Sequence, residues 1–128
     1  MATGFPASTG DVLSAAMYNG LVTFTLTTQS GSTYTVANSD LYQVAIQTSN
    51  ASTKTVTIAP DSTLTSAAVG SAITFINTGA GLLTFAAGAG VTIVSAGASS
   101  AAPTLAQYKT AVAIRQSANS WIIAGAIS

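Results

Sequence analysis

The chain predicts an all-β domain, an antiparallel β-sandwich or barrel behind a short N-terminal arm and helix. Three observations predict it. From residue 21 onward apolar and polar side chains alternate with a period of two, the mark of half-buried strands. Clusters of Gly, Ser, Asn and Asp interrupt that alternation at short, regular intervals. Between residues 72 and 94, three apolar pieces each carry a central Thr: Ile73-Thr74-Phe75, Leu83-Thr84-Phe85 and Val91-Thr92-Ile93. Gly79-Ala80-Gly81 separates the first two and Gly88-Ala89-Gly90 the second two. A membrane-spanning helix needs about 20 apolar residues without such breaks, so the stretch reads as linked hairpins with Phe75, Phe85 and Ile93 facing inward.

Taken in order, residues 1–21 form an arm and a short helix, and residues 22–128 a single β domain. Pro6 biases Phe5 towards an extended backbone. Either Asp11 or Ser14 can N-cap the helix, and Gly20 can end it. So short a helix needs packing, which Leu13, Met17 and Leu21 can provide. In residues 21–27, Val22, Phe24 and Leu26 share one face and Thr23, Thr25 and Thr27 the other. Tyr34 and Val36 point inward on the next strand; Tyr42, Val44 and Ile46 do so after the Asn38-Ser39-Asp40 turn. Val56 and Ile58 follow, closed by Pro60-Asp61. Residues 95–103 are too poor in bulky side chains to anchor themselves, and 104–107 read as a connector. The chain closes on two strands, about 108–116 and 120–127, joined by Ser117-Ala118-Asn119. Trp121 and Ile123 share one face of the last strand.

At 128 residues one domain can bury a substantial core. Only 5% of residues are charged and the net charge is zero, against about 25% charged in ordinary soluble domains. Such a surface favours association over dispersal. Three isolated cations make no phosphate-binding patch, so nucleic acid is not an expected partner, nor is a membrane. No basic and apolar leader pattern opens the sequence, so no secretory signal is expected.

The chemistry available is narrow. Histidine, cysteine and glutamate are absent, which removes Ser-His-Asp and Cys-His catalysis and thiolate or imidazole metal sites. Asp11, Asp40 and Asp61 sit beside glycine, serine or proline, where an Asp side chain serves the turn. No enzymatic activity and no cofactor are expected. A glycosidase-type pair of these carboxylates and a Ca²⁺ site at Asn38, Ser39 and Asp40 are the sharper readings that turn chemistry displaces. Thr53, Thr55 and Thr57 beside Thr23, Thr25 and Thr27 could form an ice-binding face, though strand propensity accounts for threonine equally well. Trp121, Tyr34 and Tyr42 could stack on carbohydrate, or fill the core.

The segment Gly10-Asp11-Val12-Leu13-Ser14-Ala15-Ala16-Met17-Tyr18-Asn19-Gly20-Leu21-Val22 resembles one found near the N-terminus of tailed-bacteriophage virion proteins. Tyr34-Thr35-Val36, Ile73-Thr74-Phe75-Ile76-Asn77, the run from Phe85 to Ile93, and Asn119-Ser120-Trp121 are similar to a β-rich module of those proteins. The resemblance implies a structural virion component. The chain's brevity favours a capsid decoration or cement protein, homotrimeric and seated where major capsid proteins meet, over a head- or tail-fibre component or receptor-binding module. Phe5, Val12, Leu13, Met17 and Tyr18 are the expected contacts with the capsid or a neighbouring subunit.

Overall fold

A computed structural model describes residues 14–15, 23–96 and 101–128. The expected arm and most of the expected helix, including Phe5, Val12, Leu13, Met17 and Tyr18, lie outside the described residues. The fold is all-β, as the alternation requires. Ten strands are β1 (Thr25–Gln29), β2 (Thr33–Thr35), β3 (Val44–Thr48), β4 (Lys54–Ile58), β5 (Ala72–Asn77), β6 (Leu83–Ala87), β7 (Thr92–Ser95), β8 (Thr104–Leu105), β9 (Thr110–Ser117) and β10 (Ser120–Gly125). They build one sheet of six, ordered β1-β3-β5-β9-β10-β7, and one of four, ordered β2-β4-β6-β8.

The pairing departs from the antiparallel expectation. Along β1 to β6 the chain alternates between sheets, so each strand pairs in parallel with the one two places on: β1 with β3, β3 with β5, β2 with β4 and β4 with β6. The first six strands therefore wind as three stacked coils. Antiparallel pairing enters with β8 and β9, and the β9–β10 hairpin turns through residues 117–119, with Asn119 at φ +51°. That hairpin lies between β5 and β7 in the larger sheet.

The same topology revises the stretch from 72 to 94. Neither Gly-Ala-Gly joins a hairpin: the first carries the chain from the six-stranded sheet to the four-stranded one, and the second carries it back. Gly79 and Gly81 are glycines because their turn stacks directly on the turn of the coil before. A Cβ on Gly79 would lie 2.0 Å from the Asn50 carbonyl oxygen, and one on Gly81 1.8 Å from that of Ser52. Strand alternation alone cannot distinguish a hairpin from such a corner.

The core lies between the sheets. Phe75, Phe85 and Ile93 point into it as expected, and the two phenylalanine rings meet edge to face at 5.0 Å. Trp121 and Ile123 join them. Polar groups seal one corner of the stack. Buried Asn77 donates through Nδ2 to the carbonyls of Gly81 and Leu105, each at 2.9 Å, and accepts from Thr48 Oγ1 at 3.3 Å. Lys54 is 4% exposed and donates to the carbonyls of Asn50 (2.7 Å) and Gly81 (2.8 Å). Burial lowers its pKa from the ordinary lysine value.

Three further expectations change. Tyr42 lies in a turn, followed by Gln43 at φ +55°, and β3 begins only at Val44. The 104–107 connector contains β8, which pairs with β6. Phe24 and Leu26 point away from the core, at 58% and 56% exposure, because the register of β1 sets Thr25 and Thr27, and not its apolar residues, beside buried Val44 and Ile46.

Candidate assembly surface

Parallel and antiparallel register together place side chains from all six strands of the larger sheet in straight rows on its outer face. One row runs Ala72, Ile114, Ile122, Val94. The next runs Leu26, Ala45, Thr74, Val112, Ala124, with small Ala45 buried in it. A third runs Thr28, Gln47, Ile76, Thr110. No ionisable residue stands in these rows. Val94, Ile114 and Ile122 are 45%, 39% and 36% exposed, and alternation sets Phe24 beside Leu26 on the same side. Between β7 and β10 the face carries an open apolar recess of about 400 Å³, lined by Val94, Ile122, Ala124 and Ile127 among others.

The outer face of the smaller sheet has a different chemistry. Register aligns Thr33, Thr55, Thr84 and Thr104 in one row across its four strands, with Thr35, Thr57 and Ala86 in the next. Thr55 and Thr57 thus have neighbours other than those expected: Thr25 and Thr27 belong to the opposite sheet. Residue spacing along one strand was readable in the sequence; which strands would become neighbours was not.

Asp40, Asp61 and Arg115 are tied into turns. Arg115 grips Asp61 through Nη2 to Oδ2 at 2.7 Å and Nε to Oδ1 at 3.2 Å, and the Asn119 backbone N–H donates to Asp61 Oδ2 at 3.0 Å. These bonds, led by the guanidinium, hold the Asp61 carboxyl below its ordinary pKa against the opposing effect of burial. Asp40 is buried, and its Oδ2 accepts from the Tyr34 hydroxyl at 2.6 Å and the Ala37 N–H at 2.9 Å. Desolvation, and then this carboxylate, raise the Tyr34 pKa well above that of free tyrosine. Asp40 and Asp61 are thus each committed to structural partners, and the described residues hold no cluster of three or more acidic side chains that could bind a metal.

Of the aromatic trio, Trp121 is fully buried, so no sugar reaches it. Tyr42 is 40% exposed at the rim of a recess of about 460 Å³ that also includes Thr25, Thr27, Ser39 and Asp40. No helix among the described residues is long and apolar enough to cross a membrane. No family model, curated protein or solved structure matches the chain.

Proposed function

We propose that the chain is a structural component of a tailed-bacteriophage virion: a capsid decoration or cement protein that forms homotrimers on the capsid surface and stabilises it. The observation that carries this reading is the uncharged, apolar outer face of the six-stranded sheet on a chain with 5% charged residues. Contiguous apolar patches of a few hundred Å² on a protein surface are often sites of interaction. The mechanism is surface burial: each copy bridges neighbouring subunits, and symmetry multiplies a modest contact into a large one. The two-sheet core provides a rigid body for this. Phe5, Val12, Leu13, Met17 and Tyr18 remain the proposed contacts with the major capsid protein or another virion protein.

Cryo-electron microscopy of the native assembly tests the reading. Density for this chain where major capsid proteins meet is the expected result. Density confined to a tail or head fibre would favour the fibre alternative, and a virion without the chain would refute both. Deleting residues 1–10 should abolish attachment to particles; unchanged attachment would remove the arm from the mechanism.

The threonine rows support a second reading, ice binding. Their backbone positions repeat at about 4.8 Å across strands and about 6.7 Å along them, a regular grid of threonines on the outer face of the smaller sheet. Ice-recrystallisation inhibition by the wild type, lost in Thr55→Tyr, would favour it; unaltered ice growth would dismiss it.

A further inference from the structure

We infer that the outer face of the six-stranded sheet packs against the same face of a second copy of this chain, so that self-association is held by this sheet and the arm is left for the capsid. The inference rests on the proposal that the chain self-assembles, and assigns the surface that does it.

Chemistry and area select the occupant. Any surface covering the rows of Ile114, Ile122 and Leu26 must be free of unpaired charge, because a charge buried there would meet no counter-ion. The same face of a second copy meets that condition. A typical protein surface, with about a quarter of its residues charged, does not. Six strands about 4.8 Å apart make the face about 24 Å wide, and its three rows cover roughly 400 Å² in projection. Side-chain relief, with Phe24 alongside, brings the accessible area towards the roughly 800 Å² per partner of a standard interface. The ridge of Ile114, Ile122 and Val94 stands beside the recess between β7 and β10, so the face offers both knob and hollow to a copy of itself.

The test is the mass of the full chain in solution by light scattering and sedimentation at micromolar concentration. The wild type should be an oligomer. Ile122→Lys should weaken association by about 100-fold or more, since a lysine is then desolvated opposite an apolar surface. Thr28→Lys places the same charge on the same face at an already exposed polar position, which guards against a folding defect in the first variant. It should weaken association as well. Leu82→Lys, exposed in the connection just before β6, should leave the oligomer intact. A monomeric wild type overturns both the inference and the proposed self-assembly. An oligomer unaffected by Ile122→Lys and Thr28→Lys, with circular dichroism unchanged, overturns the inference alone. An oligomer dissociated by both, on a chain absent from virions, upholds the inference while refuting the proposed location.

Discussion

Replacing Gly81 by alanine measures how tightly the coils are stacked. The new Cβ would stand 1.8 Å from the Ser52 carbonyl oxygen, whereas real Cβ atoms essentially never come within 3.0 Å of a neighbour, so the two turns must part by over about 1 Å. The Gly81 carbonyl accepts from Lys54 Nζ at 2.8 Å and from Asn77 Nδ2 at 2.9 Å, and that displacement lengthens both bonds beyond useful range. Losing one charge-assisted and one neutral buried hydrogen bond costs about 2–4 kcal/mol. Residual strain adds about 1–3 kcal/mol. The expected loss is therefore about 3–7 kcal/mol, a fall in Tm of roughly 10–25 °C for a domain of this size. Gly90→Ala is the control: its Cβ meets open space, and only the positive φ of +76° opposes it, at about 1–2 kcal/mol. Trp121, the single tryptophan and fully buried, reports both thermal transitions by fluorescence. If Gly81→Ala melts no lower than Gly90→Ala, the turns are not stacked as described.

Three other perturbations probe the polar groups. Tyr34→Phe deprives buried Asp40 of a donor and should cost about 1.5–3 kcal/mol in urea unfolding; a loss within error of zero would mean that water replaces the hydroxyl. Asp61 has a depressed pKa in the folded state, so its contribution is present above the unfolded carboxyl value near 4 and lost as pH falls through the lower folded value. Asp61→Asn should therefore lower stability at pH 7 and flatten the acid limb of the stability curve, and an unchanged limb would contradict the pairing with Arg115. Lys54 has the same sign of slope at the other end of the pH scale: with its folded pKa lowered, the unfolded chain binds the proton more tightly, and wild-type stability gains from this group as pH rises from the folded value towards 10.5. Subtracting the curve of Lys54→Met should isolate that rise; a flat difference would show that Lys54 is solvated.

What could be read from the sequence divides along physical lines. Alternation located most strands, and it oriented Phe75, Phe85, Ile93, Trp121 and Ile123 correctly, because each faces a covered interior. The same rule misplaced Phe24 and Leu26. It takes the apolar side of a strand to be the inner one, and β1 carries its apolar side on a face that no other part of the described fold covers. Parallel pairing was hidden because it joins residues far apart, such as Ala45 with Thr74, and leaves no local turn signature. The glycines of Gly79-Ala80-Gly81 were correctly seen as a turn but assigned the wrong neighbour, since the contact that excludes a Cβ comes from the preceding coil. Both outer faces depend on which strands become neighbours, so neither could be assembled from spacing within one strand.

The position of the β9–β10 hairpin dictates an order of events. β7 is made before the hairpin yet finds its partner, among the described residues, in β10, while β9 fills the place beside β5. Until β9 and β10 arrive, β5 has one backbone edge unpaired and β7 has no paired neighbour in its sheet, and Trp121 is missing from the interior. On a ribosome the stacked coils can form early, but the larger sheet closes only when its last two strands slot into the middle. Folding therefore completes from the C-terminal side inward, and a chain halted before β9 would present the bare edges of β5 and β7 to its neighbours.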